Sequence, residues 1–355
     1  MADTDVALVA AGVVTAVGVT LPEAAAAIRA RTMRFSESPF RDRDVKPVIM
    51  ATVPEDALPP LDAEIDAQPK VSSRERRILR LAAQALAQVM PLLPKSAGKV
   101  PLSIAIPRAD GPIAIDGATF LERLAIQSKA PIALPGSTSR QDGRAGGLLA
   151  LSDARDLLQR GVARYVIAGG VDTYRDAKVL ASLDTARRLK TSSNRDAFIP
   201  GEAAALLLLT TVAQARRDAL QPLAVCSGAA MSFEDGHLLS ATPYKGEALA
   251  GAIAELASRG EISAPVGEVY SSMNGEHHWG REWSIALMRQ RALFDPEHEF
   301  HHPADCYGDL GSATGPMLVA LAAIGQQKQY RRSPALVYCS SDDGPRAAVF
   351  VHQGA

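Results

Sequence analysis

The stretch from Gly143 to Glu202 limits what this chain can fold into more than any other. A glycine-rich loop at Gly143, Gly146 and Gly147 opens a segment whose apolar residues recur at helical spacing as far as Gly161. A run of apolar and small residues then ends in Ala168-Gly169-Gly170, and Pro200-Gly201-Glu202 starts a second apolar run. The order is loop, helix, buried strand, loop, strand. Such strands need covering on both sides, so the rest of the chain must supply layers.

With 355 residues the chain can bury a sizeable core. Its 47% hydrophobic and 22% charged residues are those of a soluble globular protein. A net charge of -1 and the lack of a basic stripe with interleaved aromatics exclude nucleic acid as an expected partner. Cys226, Cys306 and Cys339 are widely spaced and odd in number, so neither a disulfide framework nor a zinc knuckle is expected. The N-terminus carries Asp3 and Asp5 where a secretory signal needs positive charge, and no apolar run is long enough to span a bilayer. A cytoplasmic protein without membrane contact is the expectation.

Along the chain, Val6 to Val14 reads as a central strand ending in a glycine turn at Gly12 to Gly18. Thr20 with Glu23 forms a capping box for a helix from Glu23 to Ala30. Residues 33–70 hold six prolines and read as an irregular surface excursion, a candidate subunit contact. Ser72 with Glu75 caps a helix that Pro91 ends, and Arg74, Arg76, Arg77 and Arg80 read as its solvated face. A strand at Leu102 to Ile106, a helix at Ala118 to Gln127 and a polar loop at 131–143 follow. The second half repeats the outline: strand Leu223 to Ala230, helix Glu247 to Ser258, strand Glu268 to Ser272, helix Trp283 to Arg291, helix Ser312 to Gln326, and strands Ala335 to Cys339 and Ala347 to His352. Two copies of strand–helix–strand units predict an α/β protein with two similar halves, 1–215 and 216–355.

Ala168-Gly169-Gly170, the run Arg195-Asp196-Ala197-Phe198-Ile199-Pro200-Gly201-Glu202-Ala203 and the early Gly12-Val13-Val14-Thr15-Ala16-Val17-Gly18 turn together resemble β-ketoacyl synthases of the thiolase superfamily. The resemblance covers nearly the whole chain. It implies a thiolase-like five-layer α/β/α/β/α fold of two pseudo-symmetric halves, a large dimer interface, and an acyltransferase site built on a cysteine and two histidines. In such a site the cysteine is a thiolate at a helix N-terminus. Counting back from Ala168 puts the cysteine position at Arg144, the first histidine motif falls on Asn274-Gly275-Glu276, and the second on Gly308-Asp309-Leu310-Gly311. The lysine position falls on Ala304, and the C-terminal glycine loop near Asp342-Asp343-Gly344-Pro345.

Arginine keeps its proton and is no nucleophile, and no cysteine lies between Met1 and Val225. The resemblance therefore implies a site whose catalytic positions, Arg144, Asn274 and Asp309, are all degenerate, and no cofactor. Arg144 is expected to pair with Asp309 or Glu276, since buried charge persists only when matched. Binding candidates are Arg144, Asn274, Glu276 and Asp309, with His277, His278, Trp279 and Trp283; the last two are the chain's only tryptophans and read as core packing or a dimer contact, with a partner hot spot at a pocket mouth as the alternative. His298-Glu299-Phe300-His301-His302 satisfies a helical zinc pattern, but Pro296 and Pro303 leave no room for the helix, so no metal is expected. Glu202 reads as a buried carboxylate held by backbone donors.

The expected function is that of a non-catalytic pseudoenzyme acting as a protein-binding adaptor or stabiliser. Asn274-Gly275-Glu276, Arg281-Glu282-Trp283 and Asp305-Cys306-Tyr307-Gly308-Asp309-Leu310-Gly311 resemble cysteine-less proteins of type VI secretion effector loci, which implies a secretion effector or chaperone as partner. The other precedent is a chain-length-factor subunit, which implies an active synthase and acyl carrier protein in fatty acid, polyketide or aryl-polyene synthesis. Either reading implies a homodimer or a heterodimer with a thiolase-fold chain.

Overall fold

The computed structural model describes residues 4–260, 262 and 264–354; residues 1–3 and 355, at the ends of the two expected halves, lie outside them. The chain opens with β1 (Val6–Thr15) and α1 (Leu21–Arg29). Thr20 accepts from the Glu23 amide, while the Glu23 carboxylate reaches back to the amide of Val19, one residue before the cap. Residues 33–70 are more regular than their prolines predict. β2 (Ser36–Arg41) and β3 (Pro47–Met50) pair as an antiparallel ribbon, followed by the single-turn α2 (Ala63–Asp66). The ribbon escaped the sequence pattern because β2 is largely exposed and carries no buried alternation.

Next come α3 (Ser73–Val89), β4 (Leu102–Ala105), α4 (Gly117–Ser128) and β5 (Thr138–Arg140), the last inside the stretch expected to be loop. A 3-10 turn at Gly143–Ala145 leads into α5 (Gly146–Gln159), then β6 (Tyr165–Thr173), α6 (Ala177–Thr185), β7 (Glu202–Thr211) and α7 (Val212–Arg217). Helix α6 has only Val179 and Leu180 buried, too little apolar periodicity to stand out from the loop it was read as. The second half supplies β8 (Ala224–Cys226), β9 (Ala230–Phe233), α8 (Ala248–Ser258), β10 (Val266–Ser271), α9 (His277–Arg289), β11 (Phe294–His301), α10 (Ala304–Tyr307), α11 (Thr314–Gln327), β12 (Ala335–Ser340) and β13 (Pro345–Gln353). The strand expected over Leu223 to Ala230 is two strands broken at Ser227-Gly228, and α9 starts at His277 rather than near Trp283.

The strand order repeats. From the middle outward it is β1, β7, β6, β4, β5 on one side and β8, β13, β12, β10, β11 on the other, with β9 beside β13. In each set the two outer pairings are parallel and the next two antiparallel. The sets meet where Val6 to Leu8 of β1 pairs with Ala224 to Cys226 of β8.

Helices α5 and α11 lie between the two sets, in a core that includes Leu148, Leu151, Leu207, Met317, Leu321 and Val337. Helices α3 and α4 cover one outer face through Ile78, Leu81, Phe120 and Leu124, and α8 and α9 cover the other through Leu249, Ile253 and Trp283. The result is helix, sheet, helix, sheet, helix, as the resemblance implied. The glycines of the central stretch set the spacing of the middle layer. A Cβ on Gly147 would lie 2.2 Å from the Pro316 ring of α11, and one on Gly170 would lie 2.1 Å from the Ser312 carbonyl oxygen. No helix among the described residues is long and apolar enough to cross a membrane.

Candidate functional site

The turn before α5 and the turn before α11 bring Arg144 and Asp309 together at the middle layer. Arg144 is 3% exposed. Its Nη1 donates to Asp309 Oδ2 at 2.7 Å, its Nε donates to the Ser340 carbonyl at 2.9 Å, and Nη2 donates to Asp342. The guanidinium carbon lies 4.6 Å from the centre of the Trp279 ring, a cation–π contact. Asp309 also accepts from Asn274 Nδ2 at 2.7 Å, from the Gly311 amide at 2.8 Å and from the Tyr174 hydroxyl at 3.1 Å. Both oxygens of this carboxylate are thereby engaged.

Glu276 does not meet Arg144. Arg188 clamps it with two bonds of 2.7 and 2.8 Å, and Trp279 Nε1 donates to it at 3.0 Å. Arg188 also reaches Asp342 at 2.7 and 3.1 Å, so Asp342 bridges the two arginines. Behind Trp279, the fully buried Arg346 pairs with Glu282 at 2.6 Å.

The ledger at the centre is two guanidiniums, Arg144 and Arg188, against three carboxylates, Asp309, Asp342 and Glu276. Burial works against the charge of Arg144, yet Asp342 and Asp309 hold its pKa well above the ordinary arginine value. Burial would raise the Asp342 carboxyl, but Arg144 and Arg188 hold it well below the usual carboxylate range. Because that folded value is depressed, the contribution of Asp342 is complete above the ordinary aspartate value of about 3.9 and is lost as pH falls through the lower, folded one. Melting temperature measured from pH 6 down to pH 2 should therefore fall more steeply for the parent than for Asp342→Asn; parallel curves would contradict this ion pair.

Five of the eight binding candidates meet here: Arg144, Asn274, Glu276, Trp279 and Asp309. The other three do not. Trp283 stacks on Tyr338 at 5.2 Å within the outer core. His277 is exposed and pairs with exposed Asp196, while His278 is half-buried between Trp279 and Tyr244. The two tryptophans are 2% and 8% exposed, so of the two readings it is core packing, not a partner hot spot at a pocket mouth, that the structure shows.

Arg188 and Tyr174 were missed from sequence. Both lie in loops flanking α6, where no periodicity or spacing marks them.

A second correction concerns α3. Arg74 and Arg77, read as a solvated face, are each 5% exposed. Arg74 reaches Asp172 at 2.9 Å, and Arg77 reaches Glu202 at 2.6 and 3.1 Å. Each crosses to an end of a central strand whose buried carboxylate requires a cation. Glu202 has one backbone donor, the Val53 amide at 2.8 Å, and takes the Thr173 hydroxyl at 2.7 Å besides Arg77, rather than backbone donors alone.

No described cysteine is activated. Cys339, next to the cluster on β12, is fully buried and its thiol is pushed far up by burial; burial moves Cys226 to about 12 and Cys306 upward too. Between Asn274, Asp309, Tyr307 and Thr314 a void of about 10 Å³ remains, about the size for one water, and the Tyr307 and Thr314 hydroxyls facing this region are otherwise unpartnered. Outside the ion pairs lies a depression of about 260 Å³, bordered by Arg74, Arg108, Tyr174, Arg188 and Asp342. Of the zinc-like run, Glu299 and His301 approach Glu268 closely, but they lie on a strand, and Arg331 pairs with Glu299 and stands 4.0 Å from Glu268 where a cation would compete with it.

The layers and strand order are those of the thiolase-like ketosynthase fold. Residues 143–215 match the family model described as Beta-ketoacyl synthase, N-terminal domain. Among solved structures, one similar chain is from a type II PKS acyl-carrier protein in complex with its ketosynthase bound to the hexaketide, at TM-score 0.78 and 16% identity, covering 98% of this chain and 99% of that one. Another is the ishigamide ketosynthase/chain length factor, at TM-score 0.79 and 14% identity, with coverage of 98% and 99%. A third is the ketosynthase from module 1 of the bacillaene synthase of Bacillus amyloliquefaciens FZB42, at TM-score 0.78 and 13% identity, covering 99% of this chain and 73% of that one. At these identities the likeness establishes the fold. No curated protein sequence matches the chain.

Proposed function

We propose that this chain is a non-catalytic thiolase-fold protein that works by binding other proteins, as an adaptor or stabiliser. The observation that carries this reading is the buried guanidinium of Arg144, held by Asp309 and Asp342, at the place that counting back from Ala168 gives to the nucleophile. Acyl transfer of the synthase kind needs a thiolate there and donors that stabilise a developing oxyanion. Here the corresponding space holds two guanidiniums already engaged by three carboxylates, an arrangement with net negative charge that disfavours an oxyanion. A paired, buried ion cluster instead ties the turn before α5 to the turn before α11. For the partner, the Asn274-Gly275-Glu276 and Asp305 to Gly311 segments favour a type VI secretion effector or its chaperone.

A second reading has its own support. The similar structures include a ketosynthase/chain length factor and a ketosynthase with an acyl-carrier protein. On that reading the chain pairs with an active synthase and shapes its product. Affinity capture of the tagged chain from its native cell, with the captured proteins identified by mass spectrometry, separates the two. Recovery of a secretion effector, spike protein or chaperone supports the adaptor. Recovery of a cysteine-bearing ketosynthase with acyl carrier protein overturns it in favour of the chain-length-factor subunit, and turnover of acyl-carrier thioesters by the chain alone would defeat both.

A further inference from the structure

A second cavity, away from the Arg144 cluster, has no role in the reading above. It is a cleft of about 620 Å³ between the end of α1, β11, α10 and the middle of α11, a volume in the range of small-molecule sites. Its floor is apolar: Ala25, Tyr270, Cys306 and Leu321 are 3 to 5% exposed, and Ile28 and Phe300 are half-buried.

The polar groups of the lining sort into two kinds. Most are matched internally: His301 Nε2 meets Glu268 at 2.6 Å, His302 Nδ1 meets Asp305 at 3.0 Å, and Arg331 pairs with Glu299. Arg29 and Arg31 are the exceptions. Both are exposed, and neither has a carboxylate within ion-pair distance among the described residues, although the charge of Arg31 is felt by Asp305 from farther off; Arg29 lies over the Tyr330 ring at 4.0 Å. The backbone that carries them is fixed, not loose. The Arg31 amide donates to Ile28 at 3.0 Å, and the Arg34 amide donates to the Cys306 carbonyl at 3.1 Å, tying the end of α1 to α10.

We infer that this cleft binds an organic anion with an apolar body, a carboxylate whose chain lies on Ala25, Ile28 and Leu321 and whose head meets Arg29 and Arg31. The apolar floor favours a hydrocarbon, and the residual charge at the rim is positive, so a neutral or cationic molecule of the same length lacks half of the recognition. A position in the last turn of α1 suits Arg29 by helix electrostatics alone. That accounts for neither Arg31 nor the cleft beneath.

Calorimetric titration of the purified full chain with decanoate tests this inference without any protein partner, so its outcome is separable from that of the capture experiment. The expected result is saturable binding that weakens about tenfold or more in Arg29→Gln/Arg31→Gln, with the melting temperature of that variant unchanged and decanol, the same chain without charge, binding correspondingly weakly. Three results would each overturn it: no saturable binding, equal affinity in the double variant, or decanol binding as tightly as decanoate. Should the glutamine variant melt early, Arg29→Lys/Arg31→Lys is read in its place and should retain most of the affinity.

Discussion

Arg144→Ala is expected to cost about 3–5 kcal/mol of folding stability, the scale for removing one partner of a buried ion pair. The side chains of Arg144 and Asp309 are 3% and 0% exposed, so the lost guanidinium leaves a carboxylate with only neutral donors, and Asp342 keeps Arg188 alone. Arg144→Cys should lose as much and gain no condensing activity. A thiol at that place faces Asp309 and Asp342, whose charges would raise its pKa, and neither Asn274 nor Asp309 can act as a histidine does. Chemical denaturation provides the check, together with assays for an acyl-enzyme burst in the cysteine variant. Adding Asp309→Asn to Arg144→Ala should recover part of the loss, because the stranded charge is gone. Stability of Arg144→Ala within about 0.5 kcal/mol of the parent would mean the cluster is not the buried network described.

Arg77→Ala should be of similar size, about 3–5 kcal/mol, since Glu202 is 0% exposed and Arg77 is its counter-charge. The neighbouring Arg76→Ala provides the contrast. Arg76 pairs with Asp66, whose side chain is 68% exposed, and its loss should cost at most about 1 kcal/mol. Denaturation midpoints of the two variants, compared side by side, decide whether one face of α3 is internal. Equal, small effects would restore the solvated reading of that helix.

That solvated reading shows where sequence reasoning stopped. Four arginines within the first turns of a helix look alike as letters, and only the strands opposite decide which are covered. Arg74 and Arg77 face Asp172 and Glu202 at the ends of β6 and β7, partners about a hundred residues away that no local pattern announces. The strands themselves were legible because apolar runs such as Ala203 to Leu209 have few alternatives, and the long helices because their apolar faces repeat. The exposed ribbon of β2 and β3 and the sparsely buried α6 lacked both signals.

The site was half legible for the same reason. Arg144, Asn274, Glu276 and Asp309 sit beside glycine turns that could be matched to a known scaffold, and Asp309 was one of the two partners that charge offered Arg144. Arg188 has no such marker, so Glu276 was offered to the wrong arginine. Asp342 was located only as a replaced loop position, and its place between two guanidiniums emerged from the fold.

The pairing of β1 with β8 has a mechanical consequence. Those few residues stitch the two strand sets into one hydrogen-bonded path, while Gly147 seats Pro316 across the middle layer. Rotating one set against the other would shear those backbone hydrogen bonds and press the Pro316 ring against α5 at Gly147. The two sets are thus coupled at the centre twice over, by a short hydrogen-bonded seam and by a close helix–helix contact.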